Sequence, residues 1–311
     1  MKTSVFGGMR SCGAALAIVA ALVAWALAAG VAQAADITAT GSQPIGANWN
    51  NATWTGGQWS DGLAPSAGKT YSTGAFEIRT AISTFGGDSL RIANGGTLRS
   101  KQGVGGLATV NLILDGGTLL SGDDTTAGHL FKGNLSVLSS SFVNLSDTGY
   151  RRLVMGSGAF SGSGGITITG VDVDDYFMLD TTMTSTHTGN WTINGGRLIV
   201  TRDDQIYDTA SVTLSGTTTS AHFDFRSDQK IGSLSGTGTV NTGASGSRTL
   251  SVGGNNEHTT FSGKIENGSG TVSLTKEGTG TLTLNGANGY TGTTTVSNGT
   301  LALGAANRIS N

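Results

Sequence analysis

Beyond its first thirty-odd residues, the chain places apolar side chains two positions apart. Thr271-Val272-Ser273-Leu274 and Thr281-Leu282-Thr283-Leu284 show the pattern plainly. Period two sends valine and leucine to one face of an extended strand and threonine and serine to the other. No segment after the leader holds a 3.6-residue apolar period, and turn residues interrupt every run before it reaches helix length. The pattern predicts an all-β chain of short strands and tight turns.

The turns repeat. A small polar residue, glycine and threonine lead into an apolar strand at Asn94-Gly95-Gly96-Thr97-Leu98, Asp115-Gly116-Gly117-Thr118-Leu119, Asn194-Gly195-Gly196-Arg197-Leu198 and Ser297-Asn298-Gly299-Thr300-Leu301. Asn-Gly and Asp-Gly pairs supply the positive φ that a tight corner needs. The first two copies lie 21 residues apart, and a period of about 20 is that of solenoid coils. A longer segment, His187 to Val200, aligns without gaps on Tyr290 to Leu303. The offset of 103 residues reads as about five coils. A coil that buries its apolar face only against its neighbours favours a stacked parallel arrangement; a sandwich or propeller is the alternative. The expectation is a parallel β-helix (β-solenoid) of ten to thirteen coils. The sequence stops where the alignment calls for a further strand, which reads as a solenoid truncated at its C-terminal end.

The leader changes the setting. Lys2 and Arg10 precede an apolar, alanine-rich run from Ala14 to Ala29, and Ala32-Gln33-Ala34 follows. That order is a secretory signal peptide over residues 1–34. The single cysteine, Cys12, lies within it, so an exported product has no disulfide and draws its stability from other contacts. Glycine fills 51 of 311 positions and charged residues 12%, against about 7% and about 25% in ordinary domains. Loss of Lys2 and Arg10 takes the formal net charge from −2 to −4. No basic stripe for nucleic acid or membrane surface is present.

The C-terminal stretch from Leu274-Thr275-Lys276-Glu277-Gly278-Thr279-Gly280-Thr281-Leu282 through Gly299-Thr300-Leu301-Ala302-Leu303-Gly304 resembles the autotransporter-associated β-strand repeat, also called the passenger-associated transport repeat. The resemblance runs from about residue 228 to the end and is weaker over 187–214. It implies a right-handed β-helix, exported to the surface or surroundings of a Gram-negative bacterium. The implied partners are outer-membrane export or anchoring machinery, with surface polysaccharide or a host surface beyond it. On this reading residues 1–34 are the signal peptide and 35–70 a Trp-rich N-terminal cap. Residues 71–311 are solenoid repeats, with the family-like repeat at 271–304.

Candidate chemistry is sparse. Trp49, Trp54 and Trp59 stand five residues apart, ahead of Pro65. They suit a cap over the first coil or a platform on which sugar rings stack. Asp172, Asp174 and Asp175 form the acidic group best placed for a β-helix lyase or glycosidase, provided residues 171–175 make a strand that puts Asp172 and Asp174 on one face; Arg151, Arg152 and Arg202 are the nearby bases. Asp123-Asp124 and Asp203-Asp204 are further pairs. His129, His187, His222 and His258 are far apart without cysteine partners, so neither a metal site nor a cofactor is expected. His187 aligns with Tyr290, which favours packing. The leading expectation is a structural passenger or stalk serving export, display or adhesion. A polysaccharide lyase or glycosidase and a carbohydrate-binding module are the alternatives.

Overall fold

A computed structural model describes residues 36–44, 47–80, 83–100, 107–122, 129–145, 151–217, 220–304 and 309. The leader and the Asp123-Asp124 pair lie outside the described residues. Within them every regular element is a strand, and all pairings but one short hairpin and two isolated bridges are parallel. The chain winds through three faces in a fixed order.

The third face is the most regular. Its eleven strands stack from Glu77–Arg79 to Thr300–Leu303. The first face holds Leu107–Thr109, His129–Lys132, Tyr176–Leu179, Gly196–Val200, Ala221–Phe225, Thr239–Asn241 and Lys264–Ile265. The second begins at Ile37–Thr38 and continues through Thr70–Ser72, Ser89–Ala93, Leu112–Asp115 and Leu135–Ser139. The long strand Arg152–Gly162 serves two faces: its start pairs with Tyr176–Leu179 and its end with Met183–Ser185. The second face then breaks over Thr201–Ala210 and resumes as a four-stranded sheet from Gln229–Ile231 to Thr294–Val296.

The alternation in the sequence becomes rows in the stack. One inward row on the third face runs Leu98, Leu119, Val143, Ile168, Ile193, Leu214, Gly236, Phe261, Leu284, Leu303 in continuous register. On the first face Leu153, Phe177, Leu198, Phe223, Val240 and Ile265 stack the same way. Most of these side chains are fully buried, and together they form one continuous core. Full burial of each leucine-sized side chain contributes about 1.5–3 kcal/mol. No coil has a core of its own, so that energy depends on its neighbours.

Register steps on the third face vary with the loops, from 19 residues between Leu284 and Leu303 to 25 between Ile168 and Ile193. This corrects the reading of the internal alignment. Five coil steps from Ile193 end at Leu303, whereas the aligned partner of Ile193 is Val296. The segment 187–200 spans the turn from the third face to the first, and 290–303 spans the turn from the second to the third. The repeated phrase is a corner unit, used at different corners. Gly95, Gly116 and Gly299 take φ of 79°, 80° and 68°, while in the Asn194 copy the positive φ (75°) falls on Gly196.

Where the second face is interrupted, glutamines replace the ladder. Buried Gln205 accepts from the Thr201 and Arg202 amides (2.7 and 3.2 Å) and donates to the Asp180 carbonyl (2.8 Å). Buried Gln229 donates to the Arg202 carbonyl (2.6 Å). An unpaired buried backbone group costs about 1–3 kcal/mol, which these amides avoid.

Candidate functional site

The tryptophan block folds over the first coil. Trp54 sits in the antiparallel hairpin Thr53–Trp54 with Gly57–Gln58. Trp49 and Trp59 are fully buried and Trp54 is half-buried. The rings form a chain: Trp54 edge-on to Trp59 (5.8 Å), Trp59 to Tyr71 (5.0 Å), Tyr71 to Phe85 (5.5 Å), Phe85 to Trp49 (5.4 Å). The Trp59 indole donates to the Trp49 carbonyl (3.3 Å) and the Trp54 indole to the Gly41 carbonyl (3.2 Å). Backbone amides of Gln43 and Trp49 donate to the carbonyls of Glu77 and Arg79 (both 2.8 Å), so the segment also satisfies the edge of the first third-face strand. Burial closes Trp49 and Trp59 to ring stacking with a sugar, so the three tryptophans do not form a platform.

The acidic group is a turn, not a strand. Asp172 Oδ1 accepts from the Asp174 amide (2.9 Å), which closes an Asx turn and leaves both side chains exposed. Asp175 is buried. Its Oδ2 accepts from Arg151 (3.0 Å) and from the Val171 and Asp172 amides (2.8 and 3.3 Å). A carboxylate tied to a cation and two amides holds the loop in place. Arg152 lies over the Tyr176 ring at 5.3 Å, and Arg202 is exposed. In the Asp203-Asp204 pair, Asp203 accepts from the Ser227 hydroxyl and the Asp228 amide. Burial, with Asp208 and Asp203 nearby, raises the Asp204 carboxyl. Among the described residues no group of three His, Cys, Asp or Glu could hold a metal ion. Of the histidines, His129 and His187 are buried, His222 is half-buried and His258 exposed, on separate coils.

The repeat contains a buried cation. Lys276 occupies the inward row Ile231, Val252, Lys276, Val296 and is 1% exposed. Its ammonium donates to the carbonyls of Glu277, Gly278 (3.0 Å) and Asn298 (3.5 Å), joining its own corner to the corner of the next coil. Burial pushes its pKa down, partly opposed by the Glu277 charge. The carbonyl dipoles are what allow an ammonium to sit at this depth.

A cleft of about 750 Å³ opens on the early coils, at the turn between the second and third faces. Gly74, Ala75, Ala93 and Gly116 leave it hollow. Arg91 Nε and Nη2 both donate to Asp115 Oδ2, and the Ser139 hydroxyl donates to Asp115 Oδ1 (2.7 Å). Arg91 and Ser139 hold the Asp115 carboxyl below its usual range, against the opposing effect of burial. No sequence motif marks this cleft, because its polar residues lie on three different coils.

Core, corners and cap together define a capped parallel β-solenoid. Comparison with known families finds the passenger-associated-transport-repeat at residues 178–200 and 274–303, so two segments of the chain match that repeat. No curated protein and no solved structure matches the chain.

Proposed function

We propose that the chain is the structural passenger or stalk region of an exported bacterial surface protein. The observation that carries this reading is the passenger-associated-transport-repeat, found twice within one parallel ladder. The physics suits export. The one cysteine is Cys12, inside the predicted leader, so no disulfide obstructs passage of an unfolded chain. Each coil is completed by its neighbours, so coils emerging in sequence can add to a growing stack. A continuous stack of such coils is able to display or extend whatever is joined to it.

The test is surface display. The chain is fused to an outer-membrane β-barrel in a Gram-negative host, and external protease reports its exposure. Deletion of residues 274–303 should lower the surface signal several-fold at equal synthesis. Equal display with and without that segment would remove the transport role.

A further inference from the structure

We propose that the cleft bounded by Arg91, Asp115 and Ser139 binds a short stretch of neutral, hydroxyl-rich glycan. The inference rests on the cleft alone and stands apart from the passenger reading and from the tryptophans.

Size comes first. The cleft holds about 750 Å³ and is more open than enclosed, a trough on the surface of the stack. Its walls come from four successive coils, at Gly74–Ala75, Arg91–Asn94, Asp115–Gly116 and Ser139–Ser140. Rungs about 4.8 Å apart make it roughly 14 Å long along the stack, room for two or three sugar rings end to end.

Chemistry then selects the ligand. Arg91 and Asp115 are the charged side chains of the lining, and they neutralise each other. An anion drawn to Arg91 would meet Asp115, and a cation drawn to Asp115 would meet Arg91. Among the described residues no aromatic or large aliphatic side chain lines the cleft, so an apolar ligand gains little. What remains is a row of paired donors and acceptors. The Arg91 and Asp115 side chains keep 36% and 21% of their exposure, so part of each polar group faces the cleft. Asn94 and Ser139 add groups that both give and accept. A sugar's adjacent hydroxyls, each donor and acceptor at once, match such a row. The Arg91–Asp115 contact, supported by Ser139, holds the groups in place before the ligand arrives, which lowers the ordering cost of binding. With no ring to stack on, affinity should be millimolar.

The test uses saturation-transfer NMR on the protein with neutral tri- to pentasaccharides of glucose, mannose and N-acetylglucosamine, and with oligogalacturonate as the acidic comparator. Ala75→Phe and Ser140→Tyr each fill the cleft from an exposed position without touching the ion pair. The two variants enter from opposite ends, so misfolding of one leaves the other. At least one neutral series should bind, and binding should fall tenfold or more in a filled variant whose melting temperature is unchanged. Any of three results overturns the proposal: no neutral oligosaccharide binds, a folded filled variant binds as well as the parent, or the acidic series binds more tightly than every neutral one.

Discussion

His187 and Tyr290 occupy equivalent positions in the two repeat segments, and both rings are buried. His187 stacks on Phe160 with ring centres 4.3 Å apart, and Trp191 meets it edge-on at 5.5 Å. Nε2 donates to the Gly164 carbonyl (2.8 Å) and therefore carries the proton of the neutral ring. Nδ1 is buried without a partner among the described residues, so protonation would place a charged N–H where none of them accepts it. Burial lowers the His187 pKa, only partly offset by the Gly164 carbonyl. The unfolded chain then takes up a proton first, near pH 6.5, and this contribution to stability is lost as pH falls below that value. Acidification from pH 7.5 to 5 should lower the melting temperature of the protein more than that of His187→Phe; an equal fall in both would show that His187 has no part in the response. The packing role of His187 was legible in the alignment with Tyr290. The burial of Lys276 was not read, although alternation with Val272 and Leu274 places it inward. Charge argued for the surface, and the three carbonyls that accept its ammonium come from two coils that no local pattern connects.

At the scale of the element, the corner carries the information. Apolar alternation identified the strands because each inward position is repeated by its register partners. The corner phrase was also legible, but not its place in the coil: any turn needing a positive φ before a parallel strand accepts Asn-Gly. Asp172 to Asp175 illustrates the other limit, since a strand and an Asx turn are both open to such a segment until its partners are known. Two glycines separate the demands on a corner. At Gly95 (φ 79°) an added Cβ would meet only Ala75 at an ordinary 3.7 Å. At Gly236 (φ 100°) it would overlap the Leu214 carbonyl oxygen, because this glycine stands in the inward row between Leu214 and Phe261. Gly95→Ala should cost the about 1–2 kcal/mol of a left-handed backbone. Gly236→Ala adds overpacking of about 1–3 kcal/mol. Hydrogen exchange in strands Ser211–Leu214 and Ser233–Gly236 should therefore quicken more in Gly236→Ala than exchange beside residue 95 does in Gly95→Ala. The reverse order would mean that the corner yields more readily than the ladder.

Across the whole stack, stability is a sum over neighbours, so its ends are where it is decided. A bare first coil would present the ladder edges of Thr70–Ser72 and Glu77–Arg79, and an unpaired parallel edge is a template for another chain. The cap removes both hazards. Ile37–Thr38 pairs with Thr70–Ser72, the amides of Gln43 and Trp49 bond to Glu77 and Arg79, and Trp49 and Trp59 close over Tyr71 and Phe85. The regular tryptophan spacing pointed to this segment, while the division into two buried rings and one half-buried ring depends on the hairpin and on coil aromatics remote in sequence. Trp59→Ala should remove about 3–5 kcal/mol, and hydrogen exchange should show the loss in the first coils while Thr271–Lys276 keeps its protection. A chain starting at Lys69 loses the paired edge together with the aromatic cover, so it should self-associate. Size-exclusion chromatography with light scattering should show oligomers growing with concentration under conditions in which the capped protein stays monomeric. If the shortened chain remained a monomer with unchanged protection in Thr70–Ser72, the first coil would be self-sufficient. The neighbour-by-neighbour account of this solenoid's stability would then fail at the end where it makes its strongest demand.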